Sequence, residues 1–201
     1  MSEPIEISTS ELTRYILRQE DPDKLPDADQ DHLIFGKIFE EVYTEYTWLY
    51  SKANVGQINT KKFMQKLASR IKSSEISKDM EEKLIKKGYK IHACLLNEDV
   101  TGRKPKSKVR KIENGRRKVH LYAQPDLIEV GKYYEFKTGP INEYAVIQSE
   151  IFSWVIQEPI TLVGLSESDE GYINAQREVI EGTEMDIEEK ALEFVDEKIE
   201  G

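Results

Sequence analysis

Gln124-Pro125-Asp126-Leu127-Ile128-Glu129-Val130-Gly131-Lys132-Tyr133-Tyr134-Glu135-Phe136-Lys137-Thr138-Gly139 is the stretch around which the rest of the chain can be organised. Aromatic and β-branched residues at strand density flank Gly131-Lys132, so 125–137 predicts a hairpin ended by Thr138-Gly139-Pro140. Side chains alternate along a strand, which puts Glu135 and Lys137 on one face and Tyr134 and Phe136 on the other. If 126–130 pairs with 133–137, Asp126 sits across from the Glu135–Lys137 patch. Two carboxylates that close repel each other, and the arrangement is costly unless a cation lies between them. Hard oxygen donors with open water positions suit Mg²⁺ or Mn²⁺. Such a metal can lower the pKa of a bound water and stabilise charge on a phosphate oxygen, while Lys137 orients the nucleophile or the scissile phosphate. Simpler roles stay open at this level: Asp126 after a proline fits turn chemistry, and Glu135 with Lys137 fits an exposed ion pair.

Working outward, Val109–Glu113 and Lys118–Ala123 around Asn114-Gly115 predict another hairpin. Downstream, a helix is expected over 142–157 with Ala145, Ile147 or Gln148, Phe152, Val155 and Ile156 inward, then a short apolar strand over 160–165. Upstream, Tyr89–Leu96 reads as a strand followed by an irregular basic stretch to Lys108. Helices are expected over 60–72 and 77–87, the latter closing on Gly88 as C-cap. A longer helix is expected over 32–50 with Leu33, Ile34, Ile38, Val42, Tyr46 and Leu49 on one stripe, after an acidic loop at 20–31. The chain opens with a short helix over 7–17, capped by Ser8 or Ser10. This order predicts an α/β sandwich with a mixed central sheet flanked by helices. Residues 1–165 form the expected domain, and 166–201 an acidic extension whose one amphipathic helix, about 185–199, docks through Ile187, Ala191, Leu192, Val195 and Ile199.

The 201 residues carry a formal charge of -9, unevenly distributed. Residues 1–60 sum to -7, 61–118 to +12, 119–165 to -4 and 166–201 to -10. Net charge alone speaks against nucleic acid, but the distribution puts a basic block immediately before the acid-bearing hairpin. On composition alone this block reads as a solvated surface; Lys104, Lys106, Lys108 and Arg110, with Arg116, Arg117 and Lys118 at the hairpin tip, are the expected phosphate contacts if the hairpin's site acts on DNA. Cys94 is the sole cysteine, so the chain can form neither an internal disulfide nor a four-cysteine zinc site nor a cysteine-ligated iron–sulfur cluster. His32, His92 and His120 are too scattered to suggest a metal cluster.

Pro125-Asp126, followed nine residues on by Glu135-Phe136-Lys137, resembles the signature of the PD-(D/E)XK nuclease superfamily. Phe136-Lys137-Thr138-Gly139 resembles the end of the catalytic strand in its RecB-like branch, and Gln148 with Phe152 resembles that branch's Gln-x-x-x-Tyr. Gly36-Lys37-Ile38-Phe39-Glu40-Glu41 looks like the helix that supplies the first ligand, and Ser8–Leu17 like the opening helix. The resemblance spans about residues 8–165. It implies a restriction-endonuclease-like core, with Glu40, Asp126 and Glu135 as ligands of Mg²⁺ or Mn²⁺, the Phe136 carbonyl as a further ligand and Lys137 as the catalytic lysine. Gln148 would bond within the site or contact DNA. Glutamate at position 40 is similar to the archaeal Holliday-junction-resolving relatives; by sequence alone Glu41 is an equal candidate. Phe152 departs from the tyrosine of the motif, and the cysteines of the iron–sulfur members are absent, so no iron–sulfur cluster is expected.

The implied activity is metal-dependent hydrolysis of DNA phosphodiesters, as an exonuclease or as an endonuclease for branched junctions, the latter needing a symmetric homodimer. Two other classes fit the residues: a nuclease-fold DNA-binding or scaffolding protein of little activity, and an acidic protein–protein adaptor. No apolar run reaches a membrane span, and the start lacks a signal peptide, so an intracellular protein with no membrane partner is expected.

Overall fold

Turn chemistry sets both hairpins of this computed structural model, which describes residues 3–20, 29–47, 56–115 and 117–200. Strands β2 (Lys108–Asn114) and β3 (Arg117–Ala123) pair antiparallel around Gly115, as the Asn-Gly signal predicts. Strands β4 (Leu127–Glu129) and β5 (Lys132–Lys137) pair across Val130-Gly131, whose φ angles of 46° and 80° are both left-handed. Glycine meets that requirement freely, whereas the β-branched Val130 is strained in it.

Ahead of the hairpins come β1 (Ile5–Ser8), α1 (Thr9–Glu20), α2 (Gln30–Thr47), α3 (Gly56–Lys72) and α4 (Lys78–Asn97). After them come α5 (Glu143–Ile156), β6 (Ile160–Glu167), β7 (Ile173–Ile180) and α6 (Ile187–Glu200). The strands make two mixed sheets. In one, of order β1-β3-β2, β1 runs parallel to β3; in the other, β4-β5-β6-β7, only β5 and β6 are parallel. The α/β class with helix-flanked mixed sheets is therefore present, in two sheets where the sequence suggests a single central one.

Alternation along β5 divides the interior. Tyr133 faces a core built from Ile7, Leu12, Ile16, Leu121, Ile151 and Val195, which joins α1, α5 and α6 to the three-stranded sheet. Tyr134 and Phe136 face the other core, where Phe35, Phe39 and Tyr43 of α2 pack with Phe63 of α3 and Leu84 of α4. Tyr43 and Phe39 both meet the Phe136 ring edge-on, at centroid distances of 5.5 and 6.2 Å. The inward stripe of α2 is thus Phe35, Phe39 and Tyr43 with Ile38 and Val42, while Leu33 is exposed; Leu49 lies outside the described residues.

Three expectations are corrected. The helix after Ser77 does not end at Gly88 but continues to Asn97, so Tyr89–Leu96 is helix and not strand. Gly88 is internal because α4 meets its neighbours there: a Cβ would lie 2.5 Å from a Leu67 methyl carbon. Leu84, Gly88, Ile91, His92 and Leu95 share the buried face, a helical period. Second, a strand precedes the opening helix. Ser8 and Glu11 form a capping box at that junction, with the Ser8 N–H donating to Glu11 Oε2 at 2.8 Å and the Glu11 N–H to Ser8 Oγ at 3.2 Å. Third, the segment after Ser166 holds β7 as well as a helix. Strand β7 pairs with β6 along its whole length, and α6 buries Ile187, Ala191 and Val195 while Ile199 stays exposed. Most of the expected acidic loop, 21–28, lies outside the described residues. The basic stretch 98–107 has no helix or strand, yet it is tied down by two backbone hydrogen bonds between Arg103 and Ile128.

Candidate active site

The site is built where β4 enters, β5 ends and α5 begins. Asp126 and Glu135 are both buried, at 5% and 4% exposure, although neither is apolar. The backbone locks them together: the Asp126 N–H donates to Glu135 Oε2 at 3.3 Å, and the Phe136 N–H donates to Asp126 Oδ2 at 2.9 Å. Two residues along β5, Lys137 reaches the same patch and donates from Nζ to Glu135 Oε1 at 2.5 Å. Its ammonium also donates to Gln148 Oε1 at 2.8 Å, and Gln148 Nε2 donates in turn to Ser10 Oγ at 3.2 Å. A chain of contacts thus runs from β5 through α5 to α1. Helix α5 is held in place for this by its N-cap, Asn142, whose side chain accepts from the Ala145 N–H at 2.9 Å.

Electrostatics follow from this burial. Desolvation, then the charges of Glu135 and Glu40, holds the Asp126 carboxyl well above the usual aspartate range. Glu135 is also raised, chiefly by burial, although Lys137 pulls the other way. Burial disfavours the Lys137 ammonium, but Glu135 and Asp126 outweigh it and raise its pKa, so Lys137 is a cation at neutral pH. With both acids ionised, the pair would carry more negative charge than one lysine compensates, and this is part of why the neutral acid is favoured.

Sequence residues 40 and 41 separate cleanly. Glu41 pairs with Arg70 of α3, on the side away from the site. Glu40 lines a cleft of about 660 Å³ beside Lys137, and its charge raises both buried acids. Glu40 Oε1 also stands 3.6 Å from Lys104 Nζ. Gly36, one turn earlier, lets α2 approach the end of β5, since a Cβ there would lie 3.2 Å from Thr138 Oγ1. Phe136 sends its ring to the opposite core and offers the acids only its backbone. Phe152, four residues after Gln148, is buried in the core and not in the site.

Asp126 and Glu135 are hard donors of the kind Mg²⁺ uses, and that ion is commonly held by one or two carboxylates together with water and substrate phosphate. Their chemistry fits such an ion. Among the described residues, however, no group of three or more His, Cys, Asp or Glu side chains is placed to hold a metal. His92, burial of which pulls its pKa down to about 4, stacks on Phe63 in the core and is no ligand candidate.

The expected phosphate contacts disperse. Lys104 stands at the cleft, while Lys106 and Lys108 are exposed. Arg110 lies with its guanidinium carbon 3.7 Å from the Trp154 ring centroid and donates to the Trp154 carbonyl at 2.6 Å. Arg117 is paired with Asp196 of α6, and Lys118 is 4.0 Å from Glu113. Arg116 lies outside the described residues. Conversely, Arg14, Arg18 and Tyr144 line the cleft without having been singled out as site residues in the sequence, together with His32 and with Thr138 just after β5. Isolated polar residues on helices carry no spacing signal, and only the fold brings α1 to the end of β5.

No family model matches the chain, and no curated protein matches it. Among solved structures, one described as "Crystal structure of SSO0001" covers 100% of this chain and 78% of that chain at 12% identity, with a TM-score of 0.43, a likeness too small to carry an argument.

Proposed function

We propose that the chain is a metal-dependent nuclease that hydrolyses DNA phosphodiester bonds. The observation that carries this reading is the buried Asp126–Glu135 pair, locked through the backbone and set against Gln148 and Lys137, the last of which lines an open cleft. Burying two carboxylates costs stability, and perturbed acids beside a cleft are the usual mark of a functional site. Asp126 and Glu135 would hold Mg²⁺ or Mn²⁺, with Glu40 facing the ion from α2 and the Phe136 carbonyl as a further donor. When bound, such an ion activates a water and draws charge from a phosphate oxygen.

The chain's own residues do the rest. Lys137 stays an ammonium, so it serves as a fixed positive charge for the phosphate and not as a base. Gln148, itself anchored on Ser10, holds that ammonium in place. The Phe136 N–H fixes one oxygen of Asp126 and leaves the carboxylate little freedom to turn. Partners on this reading are DNA and, for junction cutting, a second copy of the chain. Its place would be inside a cell; among the described residues no helix is long and apolar enough to cross a membrane.

The test is cleavage of end-labelled single-stranded, duplex and four-way DNA with Mg²⁺ or Mn²⁺, comparing wild type with Asp126→Ala and Lys137→Ala. Metal-dependent cutting lost in both variants is the expected result; no cutting by wild type, or equal cutting by the variants, overturns it. One observation favours a second reading, a nuclease-fold DNA-binding protein of little activity: the acids do not form a three-ligand cluster. DNA binding without cleavage would select it.

A further inference from the structure

The basic hairpin draws attention in the sequence, yet the cleft is entered past a different element. Arg14 and Arg18 stand four residues apart on α1, so they leave the same helix face about 6 Å apart along its axis. Both are exposed and both line the cleft that holds Lys137. They also line a neighbouring cleft of about 470 Å³ on the other side of α1, bordered by Tyr15, Gln19 and Phe194, so they form the ridge between the two.

Their state of pairing sets them apart. Arg70, Arg117 and Arg177 meet Glu41, Asp196 and Glu98, and Arg110 lies on Trp154. Arg14 and Arg18 have no hydrogen-bond or ion-pair partner among the described residues. The acid of the first cleft, Glu40, faces Lys104, and the acids of the second are engaged too: Glu197 accepts from Tyr15 and Gln19, and Glu11 is bonded to Ser8. Two forked cations on a ridge beside Lys137, with no acid in ion-pair contact among the described residues, match the geometry of a phosphate contact.

We propose that the DNA strand presented to Lys137 runs over α1, with Arg14 and Arg18 holding phosphates of its backbone, and not over the β2–β3 hairpin. This rests on the nuclease reading for the class of ligand. It adds the path of the strand and two positioning residues that the sequence pattern does not mark.

Binding of a fluorescein-labelled single-stranded oligonucleotide of mixed sequence, measured by anisotropy in EDTA over a range of KCl, tests it on the intact chain. The Arg14→Ala/Arg18→Ala variant is expected to bind on the order of tenfold more weakly, with the slope of log affinity against log salt reduced by about 1.4. Arg14→Lys/Arg18→Lys should keep most of the slope, and Arg117→Ala, whose partner is Asp196, should keep all of it. An unchanged slope in the double alanine variant, or loss of binding in Arg117→Ala, overturns the proposal. If binding depends on the two arginines but wild type cuts no DNA, the strand path stands and the hydrolytic reading falls; if wild type cuts and binding ignores them, the reverse holds. A wild type that binds no DNA ends both.

Discussion

The two hairpins invert what their sequences suggest. Strands β2 and β3 carry dense positive charge around a glycine turn, and the structure spends much of it internally, on Trp154, Asp196 and Glu113. Strands β4 and β5 carry charges of both signs and, with Asp126 just ahead of β4, bury two acids and half-bury a lysine within hydrogen-bond reach of Glu135. Charge density along a chain measures solubility and the local field; charge withheld from both water and a sufficient partner measures a site. The first hairpin is a surface whose charges are partly paired, Arg117 by Asp196 of α6. The second is a centre whose electrostatics remain incomplete.

The largest effect should therefore come from β5. Lys137→Ala is expected to lower metal-dependent cleavage by about 100-fold or more, since it removes the fixed charge aimed at the phosphate; rates under single-turnover conditions check this. Gln148→Ala leaves Lys137 held by Glu135 alone and should cost on the order of tenfold, with Ser10→Ala smaller again. If Gln148→Ala equals wild type, the contact chain to α1 has no part in catalysis.

Stability should separate the hairpins in the opposite sense. Burial and neighbouring carboxylates raise Asp126 in the folded chain, so the native state prefers the protonated acid. Its contribution is most favourable below the ordinary aspartate range and is lost as pH rises through the elevated value. Asp126→Asn should thus melt above wild type in EDTA at neutral pH, with the gap closing as pH falls toward the ordinary aspartate range. Equal melting at every pH would mean that the buried charge is compensated already.

Val130 gives a smaller effect on the same hairpin. Asparagine tolerates its left-handed φ of 46°, so Val130→Asn should stabilise by about 0.5–1 kcal/mol in urea unfolding. The smallest effect belongs to the basic hairpin: Arg117→Ala breaks a half-exposed ion pair and should cost at most about 1 kcal/mol, less at high salt.

What the sequence made legible follows the range of each signal. Gly115, the helix start near Asn142 and the 135/137 alternation are local, and each sits where the residues indicate. Strand β1 has only Ile5 and Ile7 to alternate, and its partner β3 lies more than a hundred residues away. Half of strand β7 is polar or charged, with Gln176-Arg177-Glu178 in a row, and its edge position asks little apolar surface of it. Gly88 misleads because a C-cap and a close helix crossing both call for glycine, and only Leu67 on α3 distinguishes them. Asp126, Glu135, Lys137 and Gln148 come together because they lie close in the chain, from the entry to β4 through β5 to α5. Arg14, Arg18, Ser10 and Tyr144 depend on how α1 and α5 pack, which no spacing records.

Calorimetric titration of Mn²⁺ into the metal-free protein, wild type against Asp126→Asn, reaches the central claim most directly. A buried acid pair in need of a cation predicts saturable binding to wild type that Asp126→Asn abolishes or weakens by about 10-fold or more. Equal binding by both proteins, or none by wild type, would contradict it.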